Sequence, residues 1–549
     1  MSTAKVAADP PAQSIPASQA SLASPASPAT PPPAATAASR GRWWTLGIVS
    51  IATFMLMLDL TVVNVALPDL RTTLGADFSA LQWVLDAYAL TLAAFLLTGG
   101  SLADRLGRKR VYTAGFAIFT AASLACGAAQ GIVALNVARG VQGVGAAILF
   151  AVGPALIGQE FRGKDRAMAF GVFGGVSGLA IAFGPLIGGA LTDGIGWRWI
   201  FLVNVPIGIV AMVLGALRIT ESRDPSAHRV DWAGLLVFSA ALTLLVLGFL
   251  RGENQGWASA LIIGTFAAAA ALLVVFTLIE RRLGDAAMLD LGLFRNVTFI
   301  GISVTTLLAN AAGMSAIFLQ VSYMQNVLGY SPLATGVRFL PLTLTLFVAA
   351  AVTGGLTVRV PQRLLVGIGT GLISTGLFLV TLVHPSSAWT ALLPSMLVTG
   401  LGMGMFNPPR SSLAIGVAEP AKAGMAAGIG ETFQQVGIAI GIAGFGALFQ
   451  HRVAAAFAAS PAGSQLGAQA QQAGKSVAAG AGNELATKVP AALAAPVRAA
   501  AREAFVHGLS DVLVGGGAVA AVGALVGFLF IRTRDLHESA LAGAESAGH

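Results

Sequence analysis

Between Trp43 and about position 531 the chain is written as long apolar runs broken by short polar stretches. About fourteen runs can be placed: 43–66, 80–103, 110–129, 132–157, 167–191, 197–217, 232–250, 258–279, 298–321, 333–357, 362–383, 388–408, 423–449 and 508–531. Each is roughly 18 to 25 residues long, enough for a helix to cross the hydrocarbon layer of a bilayer. None alternates with period two, as the strands of a membrane barrel would. The 67 glycines lie mostly inside the runs, where small residues let helices approach closely. The pattern predicts an all-α polytopic membrane protein.

Composition narrows the class further. A soluble domain carries about 25% charged residues, whereas this chain has 10%, with 56% hydrophobic residues. It cannot cover a water-facing surface, so a soluble enzyme is excluded, and so is disorder over most of its length. The single cysteine, Cys126, excludes a disulfide scaffold. A net charge of +8 would suit nucleic acid, but the distribution of the cations gives a better account. With the N-terminus inside, the inner loops hold Arg105, Arg108, Lys109, Arg110, Arg162, Lys164, Arg166, Arg218, Arg223 and Arg229. They continue with Arg281, Arg282, Arg295, Arg359, Arg363, Arg410 and Lys422. The short outer loops hold only Arg71, Arg198, Arg251 and Arg338. This asymmetry puts both termini in the cytoplasm of a cell-membrane protein with no nucleic-acid partner. The long outer loop 450–507 carries five cations but is Ala-rich. Long loops translocate regardless of charge, and the composition predicts short interfacial helices there. Residues 1–42, rich in Ala, Pro and Ser, read as a disordered tail. They lack the apolar run of a signal peptide, and the absence of Arg before Arg40 disfavours a transit peptide.

The chain also repeats itself. At one constant spacing Gly143 recurs as Gly400, Gly145 as Gly402, Met168 as Met425, Gly171 as Gly428 and Gly184 as Gly441; at a slightly shorter one Arg105 recurs as Arg359. Spans two to five therefore return as spans ten to thirteen. The organisation expected is a six-helix half at 43–217, two inserted helices with their linkers at 218–297, a second six-helix half at 298–531, and a cytoplasmic tail at 532–549. Paired membrane halves are the build of alternating-access transporters, whose site lies between them near the midplane.

Three motifs carry mechanism. Between spans two and three stands Gly100-Ser-Leu-Ala-Asp104-Arg105-Leu-Gly107-Arg108-Lys109-Arg110. Asp104 suits a helix start, where a carboxylate is favoured, and Gly107 allows a tight turn. The stretch resembles the cytoplasmic signature loop of the major facilitator superfamily, which in that family controls the conformational switch. Its second copy, Gly354 to Arg363, keeps Arg359 but has Val358 where Asp104 stands. In span four, Arg139 lies about seven residues deep within Leu135-Asn-Val-Ala-Arg139-Gly-Val-Gln142-Gly143, where a charge must face a partner or a wet cavity. The segment resembles the superfamily motif whose arginine is tied to proton coupling. In span five, Gly184-Pro185-Leu-Ile-Gly188-Gly189, after Gly171, Gly174, Gly175 and Gly178, resembles the antiporter motif of exporters.

Three further stretches resemble one branch, the fourteen-helix drug:proton antiporters of the EmrB/QacA type. They are Leu58-Asp59-Leu-Thr61-Val-Val-Asn64, Trp197-Arg198-Trp199-Ile-Phe201-Leu-Val-Asn204-Val-Pro206, and Tyr323-Met-Gln325-Asn-Val-Leu-Gly329-Tyr330-Ser331-Pro332. The resemblance covers nearly everything from Trp43 to Arg534 and implies the major facilitator fold. It further implies a proton-coupled secondary exporter of hydrophobic or amphipathic drugs. Span thirteen departs from the pattern: Gly430-Glu431-Thr432-Phe433-Gln434-Gln435 stands where the branch often has Asn-Thr-x-Arg-Gln. The usual arginine is missing and an acid has appeared near mid-depth, a functional candidate by its position.

Asp59, Arg139 and Glu431 are thus the candidates for proton coupling. Asn310, Met314, Phe318, Gln325, Met403, Phe406, Asn407 and Gln434 are candidates for the path of a hydrophobic or cationic small molecule, since Met and aromatic side chains adapt to varied apolar cargo. At helical spacing the same residues also serve plain packing. No Gly-x-x-x-x-Gly-Lys-Ser/Thr run and no His/Cys cluster occurs, so no nucleotide, cofactor or metal is expected, and no enzyme. The partners expected are cargo, protons and lipid, with a monomer as the working unit. Two other readings are a dedicated exporter of an endogenous metabolite or lipid, and a non-transporting membrane sensor.

Overall fold

The computed structural model describes residues 34–76, 78–161, 163–223, 231–284, 289–357, 359–419 and 422–536. Residues 1–40 and 41–549 form separate units. Of the tail expected at 1–42, residues 1–33 lie outside the described residues, and from Ala34 the chain is already helical.

The long helices are α1 (Ala34–Leu74), α2 (Phe78–Leu106), α3 (Arg108–Ala128), α4 (Ile132–Glu160), α5 (Gly163–Ile195), α6 (Asn204–Arg218) and α7 (Trp232–Gln255). They continue as α8 (Ala260–Leu283), α9 (Val297–Ser322), α10 (Pro332–Leu356), α11 (Gln362–Phe378), α12 (Leu393–Gly416), α13 (Ala423–Ala459) and α14 (Ala491–Phe530). Among the described residues, 13 helices are long and apolar enough to cross a membrane. The exception among the fourteen spans expected is α5. It is a continuous helix, but its apolar stretch among those residues is the shorter Met168–Ala180. Local chemistry sets several starts. Ser331 caps α10 through Ala334 N–H, Ser259 caps α8 through Ile262 N–H, and Asn296 caps α9 through Thr298 and Phe299 N–H.

Packing follows the repeat. In the first half α4 lies against α2 and α3, and in the second α12 lies against α10 and α11 in the same way. Gly184 of α5 meets Thr61 of α1, as its repeat Gly441 of α13 meets Ala311 of α9. The halves join along α2 with α13 and α5 with α10, which the repeat also interchanges. The join is close enough to need glycine. A Cβ on Gly100 would stand 2.2 Å from the Gly424 carbonyl oxygen, and one on Gly171 2.9 Å from that of Ala350. These contacts lie at the end of the molecule where α2 and α10 finish and α5 and α13 begin, called here the latch face.

The inserted pair is lopsided. α7 packs on α2 and α13, while α8 packs on α7 and turns Leu261, Ile263, Val274 and Leu278 outward. An apolar surface of that kind is a lipid-facing one. In the segment 450–507 the short helices Pro461–Ser464, Ala470–Ala478 and Gly482–Lys488 form. Helices were expected there, but they are drawn into a core. Ala473, Val477 and Ala486 are buried with Phe449, Val453, Phe457 and Phe505 of α13 and α14.

Candidate functional site

Three polar assemblies interrupt the apolar interior. The first lies inside the first half. Asp59 of α1 and Arg139 of α4 form an ion pair in which the two side chains are at most 1% exposed. A buried pair holds only when further hydrogen bonds support it, and here several do. Arg139 Nε donates to the Val84 carbonyl at 3.0 Å and its NH1 also to Gln142 Oε1 at 2.8 Å. Gln142 Nε2 donates to Asp59 Oδ1 at 3.1 Å and to Ser123 Oγ at 3.0 Å. Asn204 of α6 donates to the same carboxylate at 3.4 Å, and the guanidinium lies 4.2 Å from the Tyr88 ring centroid. α1, α4 and α6 thus meet at one carboxylate, and α2 and α3 are tied in through Arg139 and Gln142. Gln142 sits three residues after Arg139, on the same helix face. That spacing was the signal for its role, as Asn204 had its own in the polar position of an apolar run.

The second assembly is Glu431 of α13 and Arg410 of α12, 3.2 Å apart and both buried. Among the described residues, Glu431 Oε2 and Arg410 Nε have no hydrogen-bond partner. The sequence had placed Arg410 among the loop cations. The structure corrects this, because α12 runs on through Pro408 and Pro409 to Gly416 and carries Arg410 inside. The cation that sequence reasoning found missing at Gln434 is therefore supplied from the neighbouring helix. Arg139 serves Asp59, while Glu431 has its own arginine.

The third assembly is the latch. Asp104, at the end of α2, accepts from Gly424 N–H at 3.1 Å and Met425 N–H at 2.7 Å, capping α13 across the join between the halves. Arg108 holds the carboxylate through Nε at 2.9 Å and NH2 at 2.8 Å. The expected helix-capping role is realised on a helix of the opposite half. Gly107, with φ +109°, makes the turn between α2 and α3. Arg105 is on the same turn as Asp104 and half-buried. Outside the spans, Asp290 pairs with Lys422 at 2.9 Å, just ahead of α13. Burial pushes the Asp290 carboxyl up, but the Lys422 ammonium and the Gly292 N–H outweigh it and hold it below the ordinary value.

The glycines of the antiporter motif divide. A Cβ on Gly184 would lie 1.9 Å from Thr61 Oγ1 and one on Gly188 2.8 Å from Val62, whereas Gly189 has nothing within 4 Å. The side chain of Pro185 lies outside the described residues. The path candidates also divide. Met403, against Gly313, and Phe406 are core residues. Asn310 donates to the Thr306 carbonyl of its own helix at 2.8 Å. Met314, Gln325, Asn407 and Gln434 are half-buried, Phe318 is exposed, and Asn407 faces Gly174 of the first half.

The family model described as Major Facilitator Superfamily matches residues 49–442. The chain belongs to that superfamily. Within it, the chain is 32% identical over 412 residues to Multidrug resistance protein Stp of Mycobacterium tuberculosis, covering 75% of this chain and 76% of the relative. It is 35% identical over 425 residues to Puromycin resistance protein pur8 of Streptomyces alboniger, covering 75% and 83%. A Probable actinorhodin transporter of Streptomyces coelicolor is 34% identical over 422 residues, covering 74% and 72%. Among solved structures, the superfamily's proton:xylose symporter XylE aligns with a TM-score of 0.60 at 13% identity, covering 93% of this chain and all of that one. That likeness is one of fold: two helical halves, here with α7 and α8 between them. Family and fold are those of multi-pass membrane transporters.

Proposed function

We propose that the protein is a proton-coupled exporter of hydrophobic or amphipathic toxic compounds, cationic ones included, working by alternating access as a monomer in the cell membrane with both termini in the cytoplasm. The observation that carries the reading is the Asp59–Arg139 pair, enclosed deep in a spanning helix bundle and tied to α2, α3 and α6. A carboxylate and an arginine at such a depth have a task in transport pathways. Protonation of Asp59 removes the charge that holds Arg139 and Gln142, and so frees the helices they tie. Glu431 and Arg410 repeat this chemistry beside the join, where opening of the latch face would wet them.

The closed latch face then corresponds to a state in which cargo leaves outward. Proton entry from outside loosens Asp59, the halves rock, and proton loss to the cytoplasm accompanies cargo capture. Relatives named for resistance to puromycin and for resistance and export of tetracenomycin C support export of toxic compounds. The relative named as a probable actinorhodin transporter supports the second reading, a dedicated exporter of one metabolite.

The test is proton-driven accumulation of a fluorescent cation in inverted membrane vesicles. Wild type accumulates it and loses it with an uncoupler. Asp59→Asn and Glu431→Gln, separately or together, are expected to abolish the gradient-driven part. If both variants pump as the wild type does, the proton role assigned to these acids is wrong.

A further inference from the structure

The inserted pair α7–α8 holds two acids that the transport reading does not use. Asp231 caps α7, its Oδ1 accepting from Gly234 N–H at 2.8 Å. Glu280, near the end of α8, accepts through Oε2 from Leu289 N–H at 2.9 Å. Both helix ends lie on the latch face. Asp231 is 8% exposed and Glu280 only 1%. Each keeps a second oxygen, Asp231 Oδ2 and Glu280 Oε1, that is buried with no hydrogen-bond donor among the described residues. These two oxygens converge on one point. A Cβ on Gly234 would stand 2.1 Å from the first and 2.7 Å from the second. Two charged carboxylates held side by side in a buried setting repel, and one proton between them would satisfy both bare oxygens at once.

The charges around the pair are few. Arg105 of α2 is the cation whose field reaches Glu280. Of the other ions near this face, Asp104 is engaged with Arg108 and Asp290 with Lys422, while Arg281 and Arg282, next to Glu280 on α8, are exposed. The pair is also joined to the latch by a short chain of bonds. Glu280 holds Leu289 N–H. The next residue, Asp290, holds Lys422 through its carboxylate, and its N–H lies 3.2 Å from the Met425 sulfur. Met425 N–H is one of the two that Asp104 caps. Leu289 and Leu293 pack with Leu235, Phe276, Met425 and Ala426 in one apolar cluster.

We propose that Asp231 and Glu280 bind one proton between them, forming a site through which acidity at the latch face sets how firmly the inserted pair holds the start of α13. With the proton bound, Glu280 stays beside Asp231 and keeps Leu289 in place. Without it, two like charges repel in a buried setting, Glu280 leaves, and the tie from Leu289 through Asp290 to α13 slackens. The site uses neither Asp59 nor Glu431, so it stands or falls separately from the transport reading.

Infrared spectroscopy of the full chain in liposomes, titrated with pH, tests it. The wild type is expected to show a carboxylic-acid carbonyl band that disappears as pH rises. Glu280→Gln and Asp231→Asn should each lose that band, and Asp59→Asn with Glu431→Gln should keep it. Hydrogen exchange gives the second readout. Amides from Leu289 into the start of α13 should exchange faster at high pH than chemical exchange alone explains. Glu280→Gln, whose amide can donate to Asp231 while its oxygen still accepts from Leu289, should stay protected at every pH. The proposal is overturned if the band survives in both single variants, or if the protection in Glu280→Gln still depends on pH as in wild type.

Discussion

Asp59 shows how far single residues could be read. Its depth, and that of Arg139, were visible as charges inside apolar runs, and the structure brings the two together as an ion pair. Arg410 was not visible, because two prolines after Asn407 read as a helix end. Its tight packing in the second half lets α12 continue, a tertiary override of local preference. The pair Asp290–Lys422 carries a pH prediction. A carboxyl held below its ordinary value in the folded protein stabilises it above about pH 4, and that contribution fades as pH falls through the lowered folded value. Asp290→Asn should therefore raise hydrogen exchange at the start of α13 near pH 7. At a pH low enough to protonate the wild-type acid, the two proteins should converge. Equal exchange at pH 7 would show that the pair does not anchor α13.

At the scale of elements the helices themselves were legible, because apolar runs of membrane length leave the backbone no other way to satisfy its hydrogen bonds. Their ends were not. α1 begins before its apolar run, and α13 and α14 extend beyond theirs into the segment 450–507, where Ala-rich faces find partners in each other. Which glycines of the span-five motif matter was also hidden in sequence, since all read alike. Their surroundings now separate them. Gly184→Ala drives a Cβ into Thr61, an overpacking expected to destabilise the α1–α5 contact by about 1–3 kcal/mol and to reduce transport. Gly189→Ala meets nothing and should behave as wild type. Thermal unfolding in detergent, with vesicle transport beside it, checks both; equal loss in the two variants would contradict the division.

For the whole molecule, the proposed cycle makes the join between the halves the element with two states. Asp104 bonds to two N–H groups of the opposite half when the latch face is closed, and has no reason to do so once it opens. Hydrogen bonds to a charged group contribute about 1.5–3 kcal/mol. Asp104→Asn should therefore raise the open fraction at this face by about tenfold or more. A cysteine at Ile415, which packs against Gly158 across the join, reports it in a Cys126→Ala background. Its labelling from the latch face should speed up several-fold in Asp104→Asn, and an unchanged rate would remove Asp104 from the switch. The double-half plan was legible from the repeat, while the partners chosen across the join were not, because sequence spacing carries no information on which helices of the two halves touch.

The length of α14 has a mechanical consequence. Its 40 residues make a rod about 60 Å long, twice the roughly 30 Å of hydrocarbon it has to cross. The part beyond the hydrocarbon is the spine of the helical core that α13 shares, so that core is a handle continuous with the second half. If the second half rocks as proposed, a binding protein that grips this handle takes hold of a moving part, and can stall the cycle without entering the cargo path.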